Sequence, residues 1–175
     1  TGLSKEIMLL LLFMKCESDG GTLSDEHALM QDTNWDLFLE LARHHRVYPY
    51  IYNQVKSMNS HVIPSYVVES LRRSYQQNTF QMLHLSGEME LVSHFLATNG
   101  IDVIQLKGPA LAVELYDELS KRTCSDLDVL ISLEQLEKTH ELLLQLEYVK
   151  EDYFSTVLND WQWRHHHVTY FHPHK

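Results

Sequence analysis

The spacing of hydrophobic and polar residues changes near residue 99. Before that point, apolar side chains recur at helical spacing in residues 4–16, 33–45, 50–56 and 65–98, and in a shorter segment at 24–31. Asn99-Gly100 is typical of a helix end. A helix over residues 65–98 would be about 50 Å long, and we expect a bend or a close contact at its Gly87. The pattern predicts a mostly helical region over residues 1–99.

After residue 100 the pattern is that of short strands alternating with helices. Residues 101–106 are mostly apolar and rich in β-branched side chains, which favours a strand, and Lys107-Gly108 then interrupts the pattern. Helical spacing resumes after Pro109, whose missing N–H is not needed at the first position of a helix. Further strands are predicted at 126–131, from residue 147 and at 164–171, with a helix at 133–146. The predicted fold class is therefore α+β, with a small mixed sheet over residues 100–175.

Two aspartates stand at the start of the second predicted strand. Asp126 and Asp128 are two residues apart, so on a strand both would lie on one face, while Leu127 and Val129 would enter the core. Neighbouring carboxylates repel each other unless a cation neutralises them. A hard divalent cation, Mg²⁺ or Mn²⁺, suits such a pair of oxygen ligands.

The Lys107-Gly108 turn has the chemistry of a phosphate site. It supplies a positive side chain, and the helix that follows offers free backbone N–H groups and the positive end of its dipole. The order of strand, glycine turn, helix and Asp-apolar-Asp is therefore the arrangement expected for a triphosphate with a metal ion. Taken alone, Asp126 and Asp128 would equally fit solvated acids at a strand start, and Gly108 would fit a strand end.

Residues 101–131 resemble the nucleotidyltransferase superfamily, whose fold is shared with DNA polymerase beta. More narrowly, they are similar to a bacterial family described as uncharacterised nucleotidyltransferases, which has a Leu-Lys-Gly turn, then Tyr and Arg, then a Ser-Asp-apolar-Asp strand. The corresponding residues here are Leu106-Lys107-Gly108, Tyr116, Arg122 and Ser125-Asp126-Leu127-Asp128. The resemblance implies a polymerase-beta-like fold after the helical region.

The resemblance also implies a reaction and a set of roles. A nucleoside monophosphate would pass from a nucleoside triphosphate to an acceptor, with pyrophosphate released. Asp126 and Asp128 would be the catalytic residues and would hold Mg²⁺ (or Mn²⁺). Four residues would contact the nucleotide: Lys107 and Gly108 at the triphosphate, Arg122 at a phosphate oxygen, and Ser125 as a hydrogen-bond donor.

The chain departs from the superfamily pattern in two ways. Pro109 replaces the second small residue of the turn, which removes one N–H donor. The third carboxylate of the superfamily is not evident; the downstream acids are Glu147, Glu151, Asp152 and Asp160. Since the chain starts without Met and ends where that strand would lie, we expect a fragment or processed form of a longer protein, truncated within the nucleotidyltransferase unit. The alternative function is a catalytically inactive nucleotide-binding or interaction module of the same fold.

Charge narrows the class of partner. The formal net charge is −10 and the isoelectric point is about 5.6, which argues against binding long nucleic acid and favours a small-molecule or protein acceptor. The apolar run at residues 7–14 is too short to span a bilayer, which needs about 20 residues, so we expect no membrane segment. Two cysteines provide no disulfide framework, and a cytoplasmic location is expected.

Histidines near the C-terminus raise a second hypothesis. On a strand, His165 and His167 would share a face and, with His172 or His174, could bind zinc. The spacing matches no zinc motif, and a surface strand explains it equally well. Contact of these side chains with the substrate is a third interpretation.

Overall fold

The computed structural model describes residues 2–15, 29–58, 62–151 and 167–174. Within these ranges the helices are α1 (Lys5–Lys15), α2 (Trp35–His44), α3 (Tyr48–Ser57), α4 (Ser65–Thr98), α5 (Gly108–Tyr116) and α6 (Leu136–Gln145). The strands are β1 (Ile104–Gln105), β2 (Val129–Leu130), β3 (Val149–Lys150) and β4 (Tyr170–Phe171), and short 3₁₀ turns occupy Leu119–Lys121 and Leu133–Gln135. The four main helices predicted before residue 99 are thus confirmed.

The chain divides into two compact units. The first unit contains Thr1–Met89 and Leu106–Asp128, and the second contains Glu90–Gln105 and Val129–Lys175. The long helix α4 contributes residues to both units. The predicted division at residue 99, between a helical region and a nucleotidyltransferase unit, stays a prediction.

Aromatic and aliphatic side chains form the core of the first unit. The nearly all-apolar helix α1 buries Leu9 and Phe13, and the fully buried Phe38 of α2 meets the Phe13 and Trp35 rings edge-on, at centroid distances of 6.0 and 5.4 Å. Further buried members come from α3 and the start of α4: Ile51, Val55, Val67 and Leu71. Burial of this apolar surface is the main stabilising contribution to the helical part of the unit.

Helix α4 continues without interruption over 34 residues. The close contact expected at Gly87 is wrong for the described residues, because apart from the helix's own backbone no heavy atom lies within 4 Å of the position that a β-carbon would take there. The bend stays a prediction. Gly87 itself is exposed. None of the helices described here is long and apolar enough to cross a membrane.

The strands are shorter than the sequence predicts. In the second unit, β1 and β2 pair antiparallel with Ile104 opposite Leu130 and Gln105 opposite Val129. A separate antiparallel pair joins β3 and β4. The prediction of one mixed sheet is therefore wrong for the described residues, which contain two small antiparallel sheets.

Two consequences follow from the short β2. Asp126 and Asp128 lie just before β2 and not in the strand itself, with Asp126 in a bend. Val129, predicted to enter the core, is 38% exposed, because β2 is one of only two strands in its sheet among the described residues. The core of the second unit comes instead from Val92, Leu96, Ile101 and Leu142.

Other predicted elements were found in modified form or fall outside the described residues. The helix predicted at 133–146 starts as a 3₁₀ turn and becomes α-helical only at Leu136. Of the strand predicted at 164–171, only β4 forms within the described part, since residues 167–169 are not strand. Most of the helix predicted at 24–31 lies outside the described residues, as do His165, His166, Asp152 and Asp160.

Candidate functional site

The glycine turn packs directly against the aspartate segment in the first unit. Gly108 is the first residue of α5 and has a backbone φ of +70°, in the left-handed region that glycine adopts without strain. A β-carbon built on Gly108 would lie 3.6 Å from Cδ2 of Leu127 and 3.7 Å from the carbonyl oxygen of Asp126. Lys107 precedes the helix as its cap residue. The structure thus places the helix N-terminus next to the segment that carries both carboxylates.

Replacement of Gly108 with alanine is expected to lower the free energy of unfolding by about 1 kcal/mol, because a side chain disfavours the left-handed conformation. The matched control is Gly87→Ala in the exposed middle of α4, where alanine meets no atom and favours the helix. That substitution is expected to raise the free energy of unfolding by about 0.5–1 kcal/mol. Urea unfolding of both variants measures the two changes in the free energy of unfolding, which are expected to have opposite signs. A stabilising Gly108→Ala would contradict the backbone constraint at the turn.

Each aspartate carboxylate has one protein partner in the described residues. The ammonium of Lys107 lies 3.0 Å from Oδ2 of Asp128, and the hydroxyl of Ser125 donates to Oδ1 of Asp126 at 3.2 Å. The backbone N–H of Leu106 donates to the carbonyl oxygen of Asp128 at 3.0 Å, which anchors the segment. The second oxygen of each carboxylate has no protein donor within this part of the chain. Each of these oxygens can therefore accept a ligand without losing an existing contact.

The Arg122 guanidinium forms a hydrogen bond with the backbone of the glycine turn. Its Nη1 donates to the carbonyl oxygen of Gly108 at 3.0 Å. The sequence predicts that Arg122 contacts a phosphate, whereas its observed partner is the backbone of the predicted phosphate turn. In this arrangement Arg122 positions Gly108 and adds positive charge close to the start of α5.

Asn78 of α4 is a positioning residue that the sequence analysis missed. It is buried, and its Nδ2 donates to the carbonyl oxygens of Ser120 and Arg122, both at 2.9 Å. A signal for it was present in the sequence. Asn78 is the single amide in a stripe of residues at spacings of three and four: Leu71, Tyr75, Asn78, Met82 and Leu85. A polar side chain inside such a stripe needs a buried partner, and the chain between α5 and β2 provides it.

Tyr75 and Glu118 attach the same loop to α4. The Tyr75 hydroxyl lies 2.9 Å from Oε1 of Glu118 and 2.7 Å from the hydroxyl of Ser120. A hydrogen bond from Ser120, together with one from Tyr75, lowers the pKa of the Glu118 carboxyl against the opposing effect of partial burial. The ionised carboxylate therefore stabilises the folded loop.

Because the folded-state pKa of Glu118 is below its ordinary value, its contribution is complete above pH 4.5 and is lost as the pH falls through the lowered pKa. Glu118→Gln should therefore be less stable than the parent at pH 7, and the difference should vanish on acidification. The side chain is 45% exposed, so solvent screening limits the difference to about 0.5 kcal/mol. Thermal unfolding of both proteins between pH 3 and pH 7 measures it. A difference that grows on acidification would contradict this account.

The donor set fits Mg²⁺ better than zinc. Two carboxylates, each with an uncommitted oxygen, match a cation that binds one or two protein carboxylates and completes its shell with water and phosphate oxygens. No group of three or more His, Cys, Asp or Glu residues that could hold a metal occurs among the described residues. His172 is 3.9 Å from the Glu147 carboxylate in the second unit, and His167 is exposed. The described histidines thus form no zinc site.

The third carboxylate of the superfamily pattern stays unassigned. Glu147 and Glu151 belong to the second unit and are exposed. Asp152 and Asp160, as noted above, lie outside the described residues. In the first unit, the Asp128 carboxylate contacts Lys107 of the glycine turn, and Asp126 lies next to Gly108 through its backbone carbonyl group.

Comparison with protein-family models found a match over most of the chain. A family model described as uncharacterised nucleotidyltransferase matches residues 31–175, which include both the glycine turn and the two aspartates. Searches of curated proteins and of solved structures returned no match. The match also includes α2, α3 and α4, so the family extends over the helices that precede the turn.

Proposed function

Because the chain belongs to the uncharacterised nucleotidyltransferase family, we propose that it transfers a nucleoside monophosphate from a nucleoside triphosphate to a small-molecule or protein acceptor. A polymerase-beta-like arrangement around the glycine turn is part of this proposal. The observation that supports it is the packing of Gly108 against the segment that carries Asp126 and Asp128. Under this proposal, the contact sets the phosphate-binding backbone next to the segment whose two carboxylates would bind the metal.

The proposal gives each side chain a role. Asp126 and Asp128 would hold Mg²⁺ through their uncommitted oxygens, and the ion would supply charge neutralisation at the phosphates. The backbone at Gly108 and the N-terminus of α5 accept the triphosphate. Lys107 exchanges its partner, the Asp128 carboxylate, for a phosphate oxygen. Ser125 keeps the Asp126 carboxylate oriented through its hydrogen bond.

The reaction makes one bond and breaks one. An oxygen of the acceptor hydroxyl forms a bond to the α-phosphorus and loses its proton to water. The bond between the α-phosphorus and the bridging oxygen breaks, and pyrophosphate leaves with the electron pair. Catalysis in such a transfer comes from positioning and charge neutralisation, which are the functions that the residues around the glycine turn can perform.

A specific observation favours the alternative of an inactive nucleotide-binding module. Lys107 already neutralises Asp128, and Pro109, buried at the start of α5, lacks an N–H for phosphate. A site with these features could retain the nucleotide without transferring it. The alternative predicts binding of the triphosphate with no release of pyrophosphate.

The test is calorimetric titration of the chain with ATP, GTP, CTP and UTP, each with and without Mg²⁺, beside a variant that lacks both carboxylates. Transfer is then assayed with the bound nucleotide labelled at its α-phosphate. Metal-dependent binding with label transfer supports the enzyme, whereas binding with no pyrophosphate release supports the inactive module. Absence of metal-dependent binding for all four nucleotides would contradict both.

A further inference from the structure

A cavity of about 410 Å³ opens in the first unit beside the aspartate segment. Three parts of the chain line it: the turn between α2 and α3, one face of α4, and the loop that leads to Asp126. The lining residues are Arg43, Arg46, Tyr48, Gln77, Asn78, Gln81, Thr123, Cys124 and Ser125. Its volume is in the range of cavities that bind small metabolites.

The lining is positively charged in a chain of strongly negative net charge. It contains two guanidinium groups and no carboxylate, although the whole chain has 24 acidic residues against 14 basic ones. Neither Arg43 nor Arg46 forms an ion pair among the described residues. Guanidinium groups that have no carboxylate partner and face a cavity favour an anionic ligand, since their donors match the oxygens of carboxylate and phosphate.

Local structure fixes the backbone at Arg46 and one nitrogen of the Arg43 side chain. Arg46 adopts a left-handed backbone conformation, with a φ of +57°, in the tight turn between α2 and α3. The backbone N–H groups of Arg46 and Val47 bond to the carbonyl oxygens of Arg43 and Ala42 across this turn. The Arg43 guanidinium donates to the Ser70 hydroxyl of α4 at 2.7 Å, which leaves its other nitrogens available.

The cavity is adjacent to the proposed metal site but shares no lining residue with the phosphate turn. Ser125 lines the cavity and also donates to the Asp126 carboxylate. Neither Lys107 nor Gly108 is among the lining residues. The cavity and the proposed metal site therefore meet at Ser125, which is the arrangement that a transfer between two substrates would require.

We propose that this cavity binds the acceptor, and that the acceptor is a small molecule whose carboxylate or phosphate group is bound by Arg43 and Arg46. The inference rests on the proposed transfer reaction and specifies its second substrate. Gln77 and Gln81, one turn apart on α4, offer amide groups to the hydroxyls of such a molecule. Its nucleophilic hydroxyl then points towards Ser125 and the aspartates, where the α-phosphate is held.

The test uses three probes of similar size: glycerol 3-phosphate, glycerate and glycerol. They combine a hydroxyl with a phosphate, a carboxylate or no charge. Binding to the intact chain is measured by saturation-transfer NMR, once without nucleotide and once with Mg²⁺ and a non-transferable α,β-methylene nucleotide. We expect at least one anionic probe to bind and glycerol not to bind, and the stronger probe identifies the preferred anion.

Arginine variants test whether the anionic probe binds in the cavity. Arg43→Gln and Arg46→Gln are each expected to lower the affinity for the anionic probe about tenfold, because each removes charge-assisted hydrogen bonds. Arg73→Gln is the matched control: it removes the same charge from α4 at a side chain that is 73% exposed and paired with Glu69, outside the cavity. Circular dichroism verifies that the variants are folded.

The outcomes separate this inference from the proposed function. Anion affinities that are unchanged in Arg43→Gln and Arg46→Gln, or lowered equally in Arg73→Gln, would overturn the acceptor site. Loss of nucleotide affinity in the two cavity variants would assign the cavity to the nucleotide and would also overturn it, while leaving the transfer reaction in place. Arginine-dependent anion binding in a chain that binds no nucleotide would support the cavity and contradict the transfer reaction.

Discussion

Replacement of both Asp126 and Asp128 with asparagine is expected to abolish Mg²⁺-dependent binding of nucleoside triphosphates. Loss of residues that only orient metal ligands already costs about 10- to 100-fold in affinity, so the loss of two direct ligands is expected to exceed about 100-fold. The amide side chains keep the size of the carboxylates and remove their charge. The measurement is the calorimetric affinity of the nucleotide that binds the parent chain, with Mg²⁺ present.

The two single variants test the role of each aspartate separately. In the parent chain Lys107 is 3.0 Å from the Asp128 carboxylate, so Asp128→Asn leaves the ammonium without that partner. Without Mg²⁺, this variant is expected to bind the triphosphate at least as well as the parent, because a freed positive charge lies next to the phosphate turn. With Mg²⁺ it is expected to bind less well. Asp126 pairs with no cation in the described residues, so Asp126→Asn is expected to lose affinity only when the metal is present.

Asp117→Asn is the control for the loss of negative charge. Asp117 is an exposed acid that ends α5 in a left-handed conformation, which asparagine also adopts readily. Its substitution is expected to leave nucleotide affinity unchanged. Metal-dependent binding that survives in the double variant would place the metal elsewhere and contradict the assignment of the two aspartates.

Much of this site could be predicted from local sequence. The glycine turn followed by a helix, and two aspartates close to the start of a strand, depend on backbone preferences and on spacing within about 30 residues. The structure contains these features in the predicted order, with Gly108 in a left-handed conformation and α5 starting at that residue. The helices before residue 99 were predictable for a similar reason, because their apolar residues recur at a helical period.

The contacts that position the site were less predictable because they join distant parts of the chain. Periodicity places Asn78 on the inner face of α4, but only the tertiary packing shows that its partners are the carbonyl groups of Ser120 and Arg122. Pairing of Lys107 with Asp128 depends in the same way on how the turn meets the aspartate segment. Strand length was overestimated because an apolar run, such as residues 101–106, continues beyond the residues that find a pairing strand.

Asn78→Ala is expected to lower the free energy of unfolding by about 2–4 kcal/mol. The change removes the two hydrogen bonds at 2.9 Å and leaves two carbonyl groups without their donor, each worth about 1–3 kcal/mol when buried. Such a loss is a large fraction of the 5–15 kcal/mol that is typical of a folded domain. Urea unfolding measures it, and Gln76→Ala, at an exposed position of the same helix, is the control expected to stay within about 0.5 kcal/mol.

Asn78→Asp separates the hydrogen bonds from the packing. It keeps the size of the side chain but, when ionised, sets a carboxylate against the carbonyl oxygens of Ser120 and Arg122, so it is expected to be less stable than Asn78→Ala at pH 7. Protonation restores one donor, so the folded-state pKa of the introduced carboxyl lies above its unfolded value. The stability of this variant relative to Asn78→Ala should therefore rise as the pH falls. Equal stability of the two variants at every pH would mean that Asn78 only fills space, and that the loop before Asp126 is held by other contacts.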